Sequence, residues 1–211
     1  MHICFDWDGT LVKKDVAEEA SMRRGKTLGA VMDRNYIQEA MKTHAHYKVN
    51  KELISKYTGI KDERQLTTII IEIFRFHYLG VVNEWKQRVF YPEVVEMLKR
   101  LKEQGHSLSI ASTLRQDILD FSLEVLGMRD IFSSVKANTP DLQFSKEYLV
   151  GQVMKESGKI QWMIGDREED ALAGKKHRAK TIFVAWGAED KKENIADFIV
   201  SKPTEILACI R

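Results

Sequence analysis

The chain has 211 residues, 44% of them hydrophobic, 30% charged and 9% aromatic. That is an ordinary composition for a globular protein, and the length lets about 70% of the unfolded surface be buried without disulfides or a structural metal. Lys and Arg total 33 against 31 Asp and Glu, a formal charge of +2, which argues against bulk nucleic-acid binding, where a strong basic excess is the rule. Cys4 and Cys209 sit near opposite ends in apolar stretches; they make no disulfide framework and suit a reducing interior. The start, Met-His-Ile-Cys-Phe-Asp-Trp-Asp, lacks the basic and apolar regions of a signal peptide. The longest apolar stretch, Ile69 to Leu79, is broken by Glu72, Arg75 and His77 and is too short to span a bilayer. The expected location is the cytoplasm, with neither membrane nor nucleic acid as a partner.

The first predicted strand leads into Phe5-Asp6-Trp7-Asp8-Gly9-Thr10-Leu11. Residues 13 to 91 then read as a helical insertion, with helical patterning over Val16 to Arg24, Tyr36 to Tyr47 and Leu53 to Tyr57. The run Thr67 to Phe74 is ambiguous between strand and helix. The surrounding Leu66 to Leu79 is apolar on most of its circumference, so it is expected to pack inside the insertion. From Pro92 the pattern alternates. Val94, Met97, Leu98 and Leu101 recur at helical spacing up to Gly105, and Ser107 to Ala111 reads as a buried strand. Leu114 to Leu126 is helical, Ile131 to Val135 apolar, Tyr148 to Glu156 helical, and Ile160 to Ile164 and Thr181 to Val184 are strands. This alternation implies a parallel sheet with helices on both faces, built from residues 1–12 and 92–211.

Four short motifs carry candidate chemistry. In Asp6-Trp7-Asp8-Gly9 the two carboxylates at i and i+2 share a face if the strand continues, and such a pair is hard to keep ionised without a cation; a polar turn ending a strand is the plain alternative. Ser112 and Thr113 follow the buried strand Leu108 to Ala111. Hydroxyls and free N–H groups at a helix start suit a phosphate, although Ser112 also reads simply as an N-cap. Lys146 opens a helix, where a lysine is commonly solvated surface. Gly165-Asp166 ends a strand with Asp170 four residues on, which also fits an acid-rich helix start. Neither acidic motif is a calcium loop: Leu11 and Ala171 stand where such a loop needs glycine. All four lie at carboxyl ends of predicted strands, where open α/β sheets place their ligands.

D-x-D-G-T, a strand-end Ser, a Lys and G-D-x-x-x-D, in this order, resemble the haloacid dehalogenase superfamily of phosphohydrolases. The likeness is to its phosphoglycolate phosphatase-like branch, with a helical cap inserted after the first strand. It extends over nearly the whole chain, including Tyr91-Pro92-Glu93 and Ala196-Asp197-Phe198. It implies an α/β, Rossmann-like core (1–12 and 92–211) with an α-helical cap (13–91). It further implies a Mg²⁺-dependent phosphatase for a small phosphorylated metabolite, as monomer or homodimer. By the same resemblance Asp6 is the nucleophile that becomes an aspartyl-phosphate and Asp8 the general acid and base. Ser112, Thr113 and Lys146 bind phosphate, with Lys136 the weaker substitute for Lys146. Asp6, Asp8 (through its main-chain carbonyl) and Asp166 hold the metal, with Asp170 supporting. Arg64, Arg24 and Arg23 are candidates for reading the substrate from the cap. Asp8 argues against halide displacement, because the dehalogenases lack that acid.

Three alternatives remain at this stage. A β-phosphoglucomutase-like phosphomutase would use the same chemistry. A non-enzymatic interaction protein would carry the motifs as relics. The run Ala20 to Thr27, ending Gly25-Lys26-Thr27, ends like a nucleotide-binding P-loop, but the strict pattern needs glycine at Ala20 and a buried strand before it.

Overall fold

The computed structural model describes residues 1–30, 33–43, 45–139, 142–188 and 195–210. It divides into two compact units, one of Met1–Lys14 with Gln87–Arg211 and the other of Asp15–Lys86. The second unit is shorter at both ends than the insertion expected at 13–91. The physical reason is that the connecting segments bond to each other: Lys13 N donates to Val89 O at 2.8 Å and Tyr91 N to Leu11 O at 3.2 Å.

The chain opens with β1 (His2–Phe5). The helical unit follows as α1 (Asp15–Thr27), α2 (Arg34–Thr43), α3 (Ala45–Thr58) and α4 (Glu63–Trp85). The first unit resumes with α5 (Val94–Glu103), β2 (Ser107–Arg115), α6 (Gln116–Val125), β3 (Phe132–Asn138) and α7 (Lys146–Ser157). It ends with β4 (Trp162–Gly165), α8 (Glu168–Lys176), β5 (Lys180–Val184), β6 (Phe198–Val200) and α9 (Pro203–Cys209).

The six strands form one sheet in the order β3-β2-β1-β4-β5-β6, every adjacent pair parallel. Parallel strands need crossovers, supplied here by the helices, and a central strand is then covered on both faces. Accordingly β1 and β4 are buried at every residue. One face packs Cys4, Ala111 and Met163 against Leu149, Val150 and Val153 of α7 and Ala173 of α8. The register aligns Phe5 with Ile110 on one side and Ile164 on the other. The residues after those positions therefore emerge together at the carboxyl edge.

In the helical unit α4 packs against α1 and α3, with Ile54, Leu66 and Ile70 forming a small core. Asp62 caps α4, its carboxylate accepting from Gln65 N at 2.8 Å. Arg23 on α1 donates to both carboxylate oxygens of Glu84 at 2.7 and 2.9 Å and to Glu19 at 2.8 Å.

Four readings of the sequence meet the structure here. The ambiguous Thr67 to Phe74 run is helical, inside α4. Of α4 only Leu66, Ile70, Tyr78, Val81 and Val82 are buried, while Phe76 is 72% exposed, so the apolar circumference is covered on one side only. The stretch Glu63–Val89 is also long and apolar enough to cross a membrane by length and composition, because the helix extends well beyond the Ile69 to Leu79 segment. Finally, the Gly25-Lys26-Thr27 run is the end of α1, so no loop is there to wrap a phosphate.

Candidate active site

Asp6 is the first residue past β1. Its amide donates to Ile164 O at 2.9 Å, which continues the β1–β4 pairing by one step and fixes its side chain at the sheet edge. The chain then turns sharply: Gly9 N bonds Val12 O at 2.7 Å, and the amides of Leu11 and Val12 both reach Trp7 O at 3.0 Å. Trp7 is buried and meets the Phe90 ring edge-on at 6.2 Å. Gly9 has φ 82°, and a Cβ there would lie inside 3.0 Å of the Asp166 carboxylate. This position requires glycine both for its backbone and for its nearness to the site.

Asp6, Asp166 and Asp170 are all buried, and each offers a carboxylate oxygen within 4.8 Å of the others. Asp166 leaves the end of β4. Asp170 sits in the first turn of α8, where its Oδ2 accepts from Arg167 N at 3.1 Å. Lys146 opens α7, whose N-cap Ser145 accepts from Tyr148 N at 3.2 Å. The Lys146 side chain is also buried, and its Nζ donates to Asp6 Oδ1 at 2.6 Å and to Ala111 O at 3.0 Å. The same ammonium lies 3.0 Å from Asp170 Oδ1.

Burial alone lowers the Lys146 pKa, but the carboxylates of Asp170 and Asp6 outweigh it and hold the ammonium above its ordinary value. Burial drives Asp166 the other way, and the neighbouring Asp6 charge adds to it, so that carboxyl is pushed up. Asp170 is likewise pushed up, by burial first and by the Asp6 and Asp166 charges, against the pull of Lys146. Lys146 is shared between Asp6 and Asp170, and the pull of Lys14 and Arg167 on Asp166 does not outweigh its burial.

These residues suit a hard divalent cation, which takes oxygen ligands. Asp166 Oδ2 and Asp170 Oδ1 are buried and are met by lysine ammonium groups, Lys14 at 3.1 Å and Lys146 at 3.0 Å, so each is a charged oxygen a cation could share.

The other expected residues fall in different places. Asp8 is half-buried in the turn, with a bridge pairing to Val12, and its side chain is outside the carboxylate cluster; β1 ends at Phe5, so strand alternation does not carry Asp6 and Asp8 onto one face. Ser112 is buried and Thr113 exposed, but neither begins a helix. β2 continues to Arg115 with an irregular register between Ser112 and Arg115, and α6 starts only at Gln116. The Ser112 hydroxyl instead accepts from Leu114 N at 3.2 Å. Lys136, on β3, pairs with Glu156 at 2.9 Å, whereas Lys146 meets Asp6 and Asp170. In the helical unit, Arg24 is buried with its guanidinium 5.4 Å from the Phe74 ring centre. Arg64 is exposed in the first turn of α4.

Several residues at the site were not singled out from the sequence. Thr10 donates to Asp166 Oδ1 at 3.3 Å, and Lys14 lies 3.1 Å from Asp166 Oδ2. Asn138 donates to Thr113 O at 2.7 Å and accepts from Phe144 N at 2.7 Å, tying the end of β2 to the segment that delivers Lys146. Trp186 donates to Thr10 O at 3.0 Å, and Gly187 abuts the Gly9 carbonyl. Thr10 lies inside the first motif and was readable from it; the others follow no pattern in the chain.

A buried carboxylate at the tip of a central strand thus meets a lysine and two further acids at the carboxyl edge of a parallel sheet, where open α/β folds place their ligands. The chain belongs to the haloacid dehalogenase-like hydrolases, whose family model matches residues 3–184. It is similar to a phosphoglycolate phosphatase of Aquifex aeolicus, 26% identical over 97% of this chain and 94% of that one. It is also similar to a pyrophosphatase PpaX of Oceanobacillus iheyensis, 25% identical over 99% and 95%. Among solved structures it matches a predicted phosphoglycolate phosphatase from Haemophilus somnus with a TM-score of 0.76, 18% identity, and coverage of 99% and 97%.

Proposed function

We propose that this hydrolase is a Mg²⁺-dependent phosphatase. It would cleave a small phosphorylated metabolite of the phosphoglycolate type through an aspartyl-phosphate on Asp6, in the cytoplasm, where free Cys4 and Cys209 stay reduced. The observation that carries this reading is the buried Asp6 carboxylate, bonded to Lys146 at 2.6 Å and grouped with Asp166 and Asp170. The names of the two relatives support the substrate class.

In this reading an Asp6 carboxylate oxygen attacks phosphorus, forming an O–P bond as the ester O–P bond breaks, so that one difficult hydrolysis becomes two easier steps. Asp8, half-buried at the turn, gives its proton to the leaving oxygen. It then takes one from the water that attacks the aspartyl-phosphate, work typically worth roughly 10²–10⁴-fold. Lys146 shifts one of its N–H bonds from Asp6 to a phosphoryl oxygen as negative charge leaves the carboxylate. Ser112 and Thr113 hold the remaining oxygens. Bound Mg²⁺ would be held by Asp6, Asp166 and the Asp8 carbonyl, with Asp170 supporting, and would offset charge between carboxylates and phosphate. The helical unit acts as the cap that selects the organic part of the substrate, with Arg24 and Arg64 its candidate readers.

The test is phosphate release from 2-phosphoglycolate, pyrophosphate and sugar phosphates, with and without Mg²⁺, in the native protein and in Asp6→Asn. Mg²⁺-dependent release that Asp6→Asn abolishes is the expected result. Native rates in that variant would overturn the mechanism, and sugar-phosphate isomerisation without phosphate release would move the protein to the phosphomutases.

A further inference from the structure

The carboxylate cluster is served by a second cation that belongs to none of the four motifs. Lys14 Nζ stands 3.1 Å from Asp166 Oδ2; the Lys14 side chain is 19% exposed, that of Asp166 wholly buried. Lys14 is the ion-pair partner of that buried oxygen, and the other oxygen, Oδ1, accepts the Thr10 hydroxyl at a long 3.3 Å. Lys146 is committed to Asp6, Ala111 O and Asp170. Lys14 is thus the cation in ion-pair contact with Asp166, and the Arg167 charge adds a weaker pull.

We propose that Lys14 is a built-in substitute for the divalent cation, neutralising Asp166 while metal is absent and surrendering Oδ2 when metal binds. The proposal rests on the reading of the cluster as a Mg²⁺ site. Charge favours the exchange: a divalent cation together with Lys146 balances the three clustered carboxylates, so the Lys14 charge is then surplus and is repelled by the metal. Geometry favours it as well. Lys14 lies in the connecting segment rather than in a helix or strand, and its partly exposed side chain is a flexible stem that can carry the ammonium outward. Lys146, whose side chain is only 2% exposed, has no such exit and stays.

The experiment titrates Mg²⁺ into the metal-free full-length protein by calorimetry and compares thermal midpoints in EDTA and in saturating Mg²⁺, for the native chain and Lys14→Met. The variant is expected to bind Mg²⁺ about tenfold more tightly, since a competing unit charge is gone. Its midpoint should fall in EDTA and match the native value in Mg²⁺. Unchanged or weaker Mg²⁺ affinity overturns the proposal, as does an equal fall in both conditions, which marks a permanent ion pair. A second measurement needs no variant. In lysine-¹⁵N-labelled native protein, an ammonium signal slowed in exchange in EDTA should be lost on adding Mg²⁺, and its persistence also overturns the proposal. If Mg²⁺ produces neither heat nor a midpoint shift in the native protein, the metal reading itself fails and takes this one with it. Mg²⁺ binding that ignores Lys14→Met removes the Lys14 role alone.

Discussion

Gly187 stands against the carbonyl of Gly9, so near that a Cβ at position 187 would lie well inside 3.0 Å of that oxygen. The segment after β5 thereby leans on the turn that follows Asp6, and the Trp186 indole bonds the next carbonyl, Thr10 O, at 3.0 Å. Gly187→Ala must push the turn or the segment aside. Overpacking of this kind costs about 1–3 kcal/mol, read as a lower urea midpoint. Because the displaced turn carries Asp8, phosphate release should fall along with stability.

Lys146→Met tests the buried cation directly. Removing one partner of a buried ion pair typically costs about 3–5 kcal/mol, because the remaining charges are stranded. Here the stranded groups are Asp6 and Asp170. Urea unfolding in EDTA should show the full loss, and Mg²⁺ should recover part of it. A variant as stable as the native chain in EDTA would contradict the arrangement.

His2 gives a pH signature away from the site. Its ring contacts Ser109 Oγ at 2.9 Å and Gly158 O at 3.2 Å. Burial lowers its pKa; the Gly158 carbonyl opposes this and the N-terminal ammonium adds to it. The unfolded chain therefore binds the His2 proton more readily than the folded one, so stability falls as pH drops below the ordinary histidine value of about 6.5. Urea midpoints at pH 7.5 and 5.5 should differ less in His2→Gln than in the native protein.

Arg23 was a candidate for reading the substrate, but its guanidinium is engaged by Glu84 and Glu19. Arg23→Ala is expected to cost the helical unit about 1 kcal/mol, the upper range for exposed ion pairs, and to leave the KM for a phosphate ester unchanged. A large rise in KM with stability intact would restore the substrate role.

The alternation of buried strands and helices was legible because β1, β2 and β4 carry short apolar runs that end at polar or glycine residues. Asp6 and Asp166 were legible for the same reason: a parallel sheet brings strand ends together whatever their separation in sequence. Ser112 was misread as a helix start because the bulged extension of β2 to Arg115 depends on pairing with β3, and residues 112–115 carry no local signal for it. Lys14, Trp186 and Gly187 stayed hidden because each acts through one long-range contact, which leaves no periodicity. The exposed side of α4 was hidden too, since hydrophobicity records what a helix is able to bury and not what covers it.

The strand order β3-β2-β1-β4 also bears on synthesis. β1 precedes its strand partners β2 and β4, which emerge from the ribosome about half a chain later for the one and three-quarters for the other. Contacts so distant in sequence form slowly and expose partly folded chains meanwhile. A nascent chain that stops short of Asp166 carries Asp6 but lacks the other two carboxylates of the cluster. The carboxylate cluster is thus completed only late in translation.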